Sequence, residues 1–424
     1  MSDKAKLPAH RNLRDVMGES RSRLPRSLAP RALLALIASG IALSLVEFSC
    51  WLVLNTRAPR TGHIPRTEYR LQQPPAYAGA DYFSPDFVLE SSVAVRDFKL
   101  VPGANYCQLG DVASPHFHID NNVRRTTDQP AQAGNCIWLF GGSTMFCQEV
   151  PDELTIASHL QRLVNDAGCG TWRVENLGTP SMTIAQHLAR LHDTPVAPGD
   201  IVIFYDGFND VWHGIYNGTP KRHTAGPSSL GGVRQLTPVQ KCLFRIHARF
   251  HPVSAAVRLL CDVEGKVLPR TLVDDATLGC NCAAVEKIFL KTLQDTHRFC
   301  AGRNVRFIHL LQPQIFSLKQ MSANERWLAD NELKITPGLD RAFQIGYPRV
   351  QAACREGAGE GVCTWDISDL FNDRGHSGEI FLDQCHVNHV GNLLIARRIF
   401  ELVFPSSEYR PEATTAEAAS KATR

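Results

Sequence analysis

The chain has 424 residues, with 45 basic and 42 acidic side chains, a net charge of +3 and an apolar fraction of 44%. That length supports one large or two modest domains with a sizeable core. The nearly balanced charge carries no polyanion signature, so nucleic acid is not an expected partner.

Residues 1–31 are polar and basic, carrying Lys4, Lys6, Arg11, Arg14, Arg21, Arg23, Arg26 and Arg31. Ala32 to Leu54 is then apolar apart from Glu47 and small polar residues. That stretch is long enough for a bilayer helix of about 20 residues. The long basic leader and the lack of a small-x-small site before Asn55 count against a cleaved signal peptide. A core helix would need a packing partner that the flanking sequence does not offer. A single N-terminal transmembrane anchor over 32–54 is therefore expected, with Glu47 near one end. The positive-inside rule puts the leader in the cytoplasm and the remainder outside, although Arg57, Arg60, Arg66 and Arg70 weaken the bias. In a bacterium that is the periplasmic face of the inner membrane.

Residues 55–77 are rich in Pro and Arg and read as a linker. Residues 78–134 read as a small β-rich lead-in, with runs such as Phe87-Val88-Leu89, Val93-Ala94-Val95 and Phe117-His118-Ile119-Asp120. Asn121-Asn122 is the expected turn, because Asn tolerates left-handed backbone. Residues 135–404 alternate strands with helices. Strands are expected at Cys136–Phe140, Trp172–Leu177, Asp200–Tyr205, Val305–Leu311 and Val362–Ile367. Helices are expected at Asp152–Asn165, Ile184–Leu191, Ala283–Cys300, Arg341–Arg355 and Asn388–Val403. The fold class is α/β: a three-layer α/β/α sandwich around a mostly parallel five-stranded sheet. Right-handed crossovers permit the flavodoxin-like order 2-1-3-4-5. Residues 213–282 break the rhythm and read as an insertion beside the site. Residues 405–424 read as a disordered tail.

Thirteen cysteines are present. Most read as small buried hydrophobes, with Cys280/Cys282 and Cys354/Cys363 as disulfide candidates if that part is extracytoplasmic. Cys280-Asn281-Cys282 lacks a second pair at zinc spacing, so no metal is expected there, and no cofactor is expected elsewhere.

Four strand-end segments carry the chemistry. Ile137-Trp138-Leu139-Phe140-Gly141-Gly142-Ser143-Thr144 presents a hydroxyl where an apolar strand turns sharply. Val174 to Ser181 and Ile201 to Asp210 close two further strands, the latter in Gly207-Phe208-Asn209-Asp210. Phe381-Leu382-Asp383-Gln384-Cys385-His386 precedes the last helix. Sites in open α/β sheets lie at the carboxyl ends of strands. A serine hydroxyl needs a base to take its proton, and an Asp three residues before a His can orient that base from one short loop.

Serine early, Asn in a Gly-x-Asn-Asp turn and Asp-x-x-His late, in that order, resemble the SGNH (GDSL-type) hydrolase family over roughly residues 136–404. The resemblance implies a flavodoxin-like sheet and a triad of Ser143, His386 and Asp383. It implies an oxyanion hole made by the Ser143 N–H, the Asn209 amide and a main-chain N–H five residues after Asn176. That position is a glycine in the family and Ser181 here; Gly178 is the alternative donor. The family pattern gives the base to His386 and not to its neighbour His389. Thr144, Cys147 and Asp206 are expected to shape or brace the pocket, and a metal at Cys385 and His389 is not expected. Block one reads Gly-Gly-Ser and not Gly-Asp-Ser, which removes a polar group beside the nucleophile. Membrane-anchored bacterial members carry a similar lead-in. Exported members act on O-acetyl groups of carbohydrates, so an acylated small molecule or carbohydrate is the expected substrate. Hydrolysis is the expected reaction; O-acyl transfer by the same triad, or a non-catalytic role in envelope assembly, are the alternatives.

Overall fold

The computed structural model describes residues 37–50, 66–72, 74–94, 98–100, 106–132, 134–218, 274–372 and 378–405. The basic leader, both ends of the expected anchor, most of the linker, the bulk of the 213–282 insertion and the tail from 406 lie outside the described residues. Residues 37–50 form a helix, α1, which belongs to a unit separate from the rest and is described by itself. Ile37, Ile41, Leu43, Leu45, Val46 and Phe48 on it are exposed. No helix among the described residues is long and apolar enough to cross a membrane.

The larger unit opens with α2 (Arg66–Leu71), α3 (Pro85–Ala94) and an antiparallel pair, β1 (Phe98–Leu100) and β2 (Cys107–Leu109). Then come β3 (Val112–Ala113), β4 (His118–Asp120), β5 (Val123–Arg124), β6 (Asn135–Gly141) and α4 (Ser143–Phe146). They are followed by α5 (Ile156–Asp166), β7 (Trp172–Gly178), α6 (Ile184–His192), β8 (Ile201–Asp206) and a π-helical turn, Asp210–Tyr216. Last are α7 (Asp275–Ala301), β9 (Arg306–Leu311), α8 (Ala323–Leu333), α9 (Leu339–Gly359), β10 (Thr364–Asp366) and α10 (His389–Val403).

Eight strands form one sheet in the order β10-β9-β8-β6-β7-β5-β4-β3. The strands from β6 to β10 are parallel, and counted from β6 their order is 2-1-3-4-5. Side chains alternate between two cores, as a period of two requires. On β8, Ile201, Ile203 and Tyr205 join the core under α5 and α10, while Val202 and Phe204 join the one under α6, α7 and α9. Every residue of β8 is buried, which a central strand covered on both faces demands.

Several sequence expectations need correction. Residues 85–94 are helical, not β. Phe87, Val88, Ser91 and Ser92 are the buried face, and both serine hydroxyls donate to Val88 O at 2.9 and 2.8 Å. The lead-in does not stand apart: β5 pairs antiparallel with β7, so β3–β5 extend the central sheet. The Asn121-Asn122 turn is present, with φ of 49° and 65°. The end of the linker is no tether, because Tyr69 is buried and stacks on Trp327 with centroids 4.7 Å apart. Helix α7 begins at Asp275, eight residues before the expected start, capped by Asp274 accepting from Thr277 N. Cys280 and Cys282 therefore lie on a helix, and they and Cys354 and Cys363 are all unpaired. Helix α8 was not expected from the sequence.

Candidate active site

Strand β6 runs out at Gly141, Gly142 is extended (φ −75°, ψ −153°), and Ser143 opens α4. A side chain on Gly142 would stand 2.5 Å from Asn209 Nδ2, so only glycine lets the Asn209 turn close against the start of α4. One of α4's flanks rests on β7: a Cβ on Gly178 would lie 2.3 Å from Phe146 N and 2.7 Å from Met145 C. Ser143 is the first residue of its helix, so its N–H has no intrahelical acceptor.

His386 and Asp383 come from a loop closed by the Phe381–Val387 bridge and by Leu382 N donating to His386 O at 2.8 Å. His386 Nε2 lies 2.7 Å from Ser143 Oγ, and Nδ1 lies 2.9 and 2.8 Å from the two Asp383 oxygens. An ionised carboxylate only accepts, so Nδ1 carries the proton and Nε2 is left to accept from the hydroxyl. Asp383 Oδ1 also accepts from Cys385 N and His386 N at 2.9 and 2.8 Å. Burial opposes ionisation of Asp383, but the Arg66 charge, the His386 imidazole and these donors hold its carboxyl far below the usual range. Arg66 Nε is 2.7 Å from Asp383 Oδ2, and its terminal nitrogen pairs with buried Glu149.

The oxyanion candidates sort themselves by what their donors already hold. Gly178 N donates to Asn176 Oδ1 at 2.9 Å, so the alternative donor is engaged and Gly178 serves packing. Ser181 occupies left-handed backbone, φ 65°, a conformation that suits glycine better than a residue with a side chain. Asn209 donates one amide hydrogen to Met182 O at 2.8 Å, which leaves its second hydrogen for a ligand.

Two buried arginines fasten these loops. Arg124 donates to Phe146 O, Cys147 O and Val150 O at 2.6, 2.5 and 2.7 Å and pairs with Asp152 at 3.1 Å, gripping the far end of α4. Arg190 donates to Leu177 O at 2.5 Å, Thr179 Oγ1 at 2.8 Å and Asn122 O at 2.5 Å, holding the segment that leads to Ser181. Thr144 donates to Gln312 Oε1 at 3.3 Å. Cys147 caps α4 in left-handed backbone, and burial pushes its thiol up to about 12, leaving it an inert filler. Asp206 sits 2.9 Å from His187 behind the Asn209 turn. Asp210 is pushed well above the carboxylate range, by burial first and then by Asp206.

Asp383, Cys385 and His386 place one donor atom each within 4.8 Å, the spacing of a metal site. The donor chemistry argues otherwise: both imidazole nitrogens have partners, and burial and Asp383 push the Cys385 thiol well above its usual value, away from the thiolate a metal needs. His389 opens α10, with Nδ1 3.4 Å from the Tyr82 hydroxyl, and is not brought to Ser143. The sequence reading missed Arg66, Arg124, Arg190 and Glu149. A buried arginine leaves no local signature, since its partners are carbonyls and carboxylates distant in the chain.

No family model matches the chain, and no curated protein matches it. Among solved structures, it is similar to LAE5, an alpha/beta hydrolase from the metagenome of Lake Arreo, at 14% identity and a TM-score of 0.34 over 64% of this chain and 95% of that one. The acetylxylan esterase Axe2 from Geobacillus stearothermophilus gives the same identity, score and coverage. A putative lipolytic protein of the G-D-S-L family from Desulfitobacterium hafniense gives 9% identity and 0.33 over 63% and 99%. Scores this low carry no argument about chemistry, so the reading below rests on the site's own geometry.

Proposed function

We propose that the protein is a serine esterase of the SGNH type that cleaves an O-acyl ester, an O-acetyl group on a carbohydrate, through an acyl-enzyme. The observation that carries this reading is the 2.7 Å contact between Ser143 Oγ and His386 Nε2, with Asp383 on the other imidazole nitrogen. In the proposed reaction Ser143 Oγ attacks the ester carbonyl as His386 Nε2 takes its proton. The N–H groups of Ser143 and Ser181 and the Asn209 amide receive the oxyanion. His386 returns the proton to the departing alcohol, and water, activated by the same imidazole, frees the acid.

We also propose a membrane anchor over 32–54 with the larger unit on the extracytoplasmic side. Support comes from the exposed apolar side chains of α1 and from the basic leader before it.

The test uses the full-length chain and a fluorophosphonate probe, beside Ser143→Ala. Ser143-dependent labelling with turnover of a generic acetyl ester supports the esterase. Turnover only when a sugar acceptor is supplied would replace hydrolysis by transfer, and the absence of Ser143-dependent labelling would favour a non-catalytic assembly role.

A further inference from the structure

The carboxylate of the triad has a partner that a serine-histidine-aspartate relay does not need. Arg66 lies in α2, far from Asp383 in sequence, yet its Nε stands 2.7 Å from Asp383 Oδ2. We propose that Arg66 is a positioning residue of the triad, which holds Asp383 ionised and oriented in a buried place and so sets the acidic limit of activity. The proposal rests on the serine-esterase reading.

Asp383 is surrounded by groups that would make it hold a proton. Glu149, just before the turn into α5, is buried, and Glu332, at the end of α8, adds a second carboxyl whose field also reaches Asp383. The Cys385 thiol on the same loop is neutral, and Tyr77 lies within range of Arg66. Carboxyls that share one buried neighbourhood raise one another's proton affinity unless a cation lies among them. Arg66 supplies that cation, reaching Asp383 with Nε and Glu149 with a terminal nitrogen. Burial would lower the Arg66 value, but the Asp383 and Glu149 charges more than reverse that, so the guanidinium stays charged. Its Nε lies against Oδ2, one of the two oxygens that face His386 Nδ1, so the cation sits directly behind the imidazole's partner.

The sign follows directly. Removing the cation lets the Asp383–His386 pair take up a proton at higher pH, and the protonated pair cannot accept from Ser143. The acidic limb of the kcat/KM profile should therefore move upward by roughly one pH unit in Arg66→Gln, the lower end of what an adjacent arginine does to a carboxylate. Turnover at neutral pH should fall roughly tenfold, with KM within about twofold, because the lost contact serves the chemical step and not ground-state binding. Arg66→Lys keeps the charge and should leave the limb near that of the parent chain. Glu149→Gln removes a negative neighbour and should move the limb the other way.

The experiment is kcat/KM against pH for the full-length chain and these three variants, on a generic acetyl ester, with thermal melting as the folding control. An unmoved limb in Arg66→Gln, or a limb moved as far in Arg66→Lys, overturns the proposal and leaves Arg66 a packing residue. If Arg66→Gln does not fold, the Lys and Glu149→Gln variants decide: an upward shift in either overturns it. Lack of Ser143 labelling in the parent chain would instead remove the esterase reading itself, so the two failures are separable.

Discussion

Replacing Gly178 by alanine tests how tightly Ser143 is held. The new Cβ would stand 2.3 Å from Phe146 N and 2.7 Å from both Met145 C and Phe146 Cα, where ordinary contact begins at 3.4 Å. All three are backbone atoms of α4, so no side chain can swing aside, and the helix must retreat from β7 by about 1 Å. Ser143 opens that helix, and its hydroxyl sits 2.7 Å from His386; the same retreat would stretch the contact beyond hydrogen-bond range. Displacement of a reacting group on this scale costs on the order of a hundredfold in kcat. Overpacking costs about 1–3 kcal/mol, and each kcal/mol lowers Tm by about 2–4 °C in a domain of some 150–250 residues. Acetyl-ester turnover and a melting curve on the same preparation read both. Alanine keeps the main-chain N–H that Asn176 accepts, so lost activity would not be a lost donor. A Gly178→Ala chain with kcat within about threefold of the parent and an unchanged Tm would refute the packing argument.

Two further outcomes are expected. Asn209→Ala should lower kcat by about 10²–10³ with KM nearly constant in steady-state assays, since it removes an oxyanion donor and also frees Met182 O. Burial, then the Asp383 charge, raise Glu332 to about 7, above its ordinary 4.5. The stability owed to its neutral form is thus complete below about pH 4.5 and lost as pH rises through about 7. Glu332→Gln, melted across that window, should gain on the parent chain progressively as pH rises, by up to about 3 kcal/mol; a constant difference would contradict the assignment.

The parallel core was legible because β6, β7 and β8 are short apolar runs closed by a Gly or Asn turn, and α5, α6, α7, α9 and α10 repeat their apolar residues at helical spacing. The meeting of Ser143, His386 and Asp383 was legible for the same reason: Gly141-Gly142-Ser143 and Asp383-x-x-His386 are local patterns at strand ends. What precedes residue 135 was not. Helix α3 hides because half its buried face is Ser91 and Ser92, whose hydroxyls are satisfied on Val88 O, so no apolar stripe shows. The end of the linker is ordered by partners that sequence spacing cannot announce, with Tyr69 on Trp327 and Arg66 on Asp383. Helix α7 starts early because Leu278 and Cys282 extend the apolar register of Val285 and Phe289, a continuation masked by reading the Cys-x-Cys as a loop.

The meeting of Arg66 with Asp383 also bears on how the protein is made. One group emerges early from a translating ribosome and the other near the end, with the hydroxyl of Ser143 synthesised between them. The pocket cannot assemble on a nascent chain; it forms only when the two extremities of the larger unit find each other, a long-range closure of the kind that slows folding. Until then Ser143 has no imidazole beside it, and a chain that stops before Asp383 lacks both His386 and its carboxylate partner.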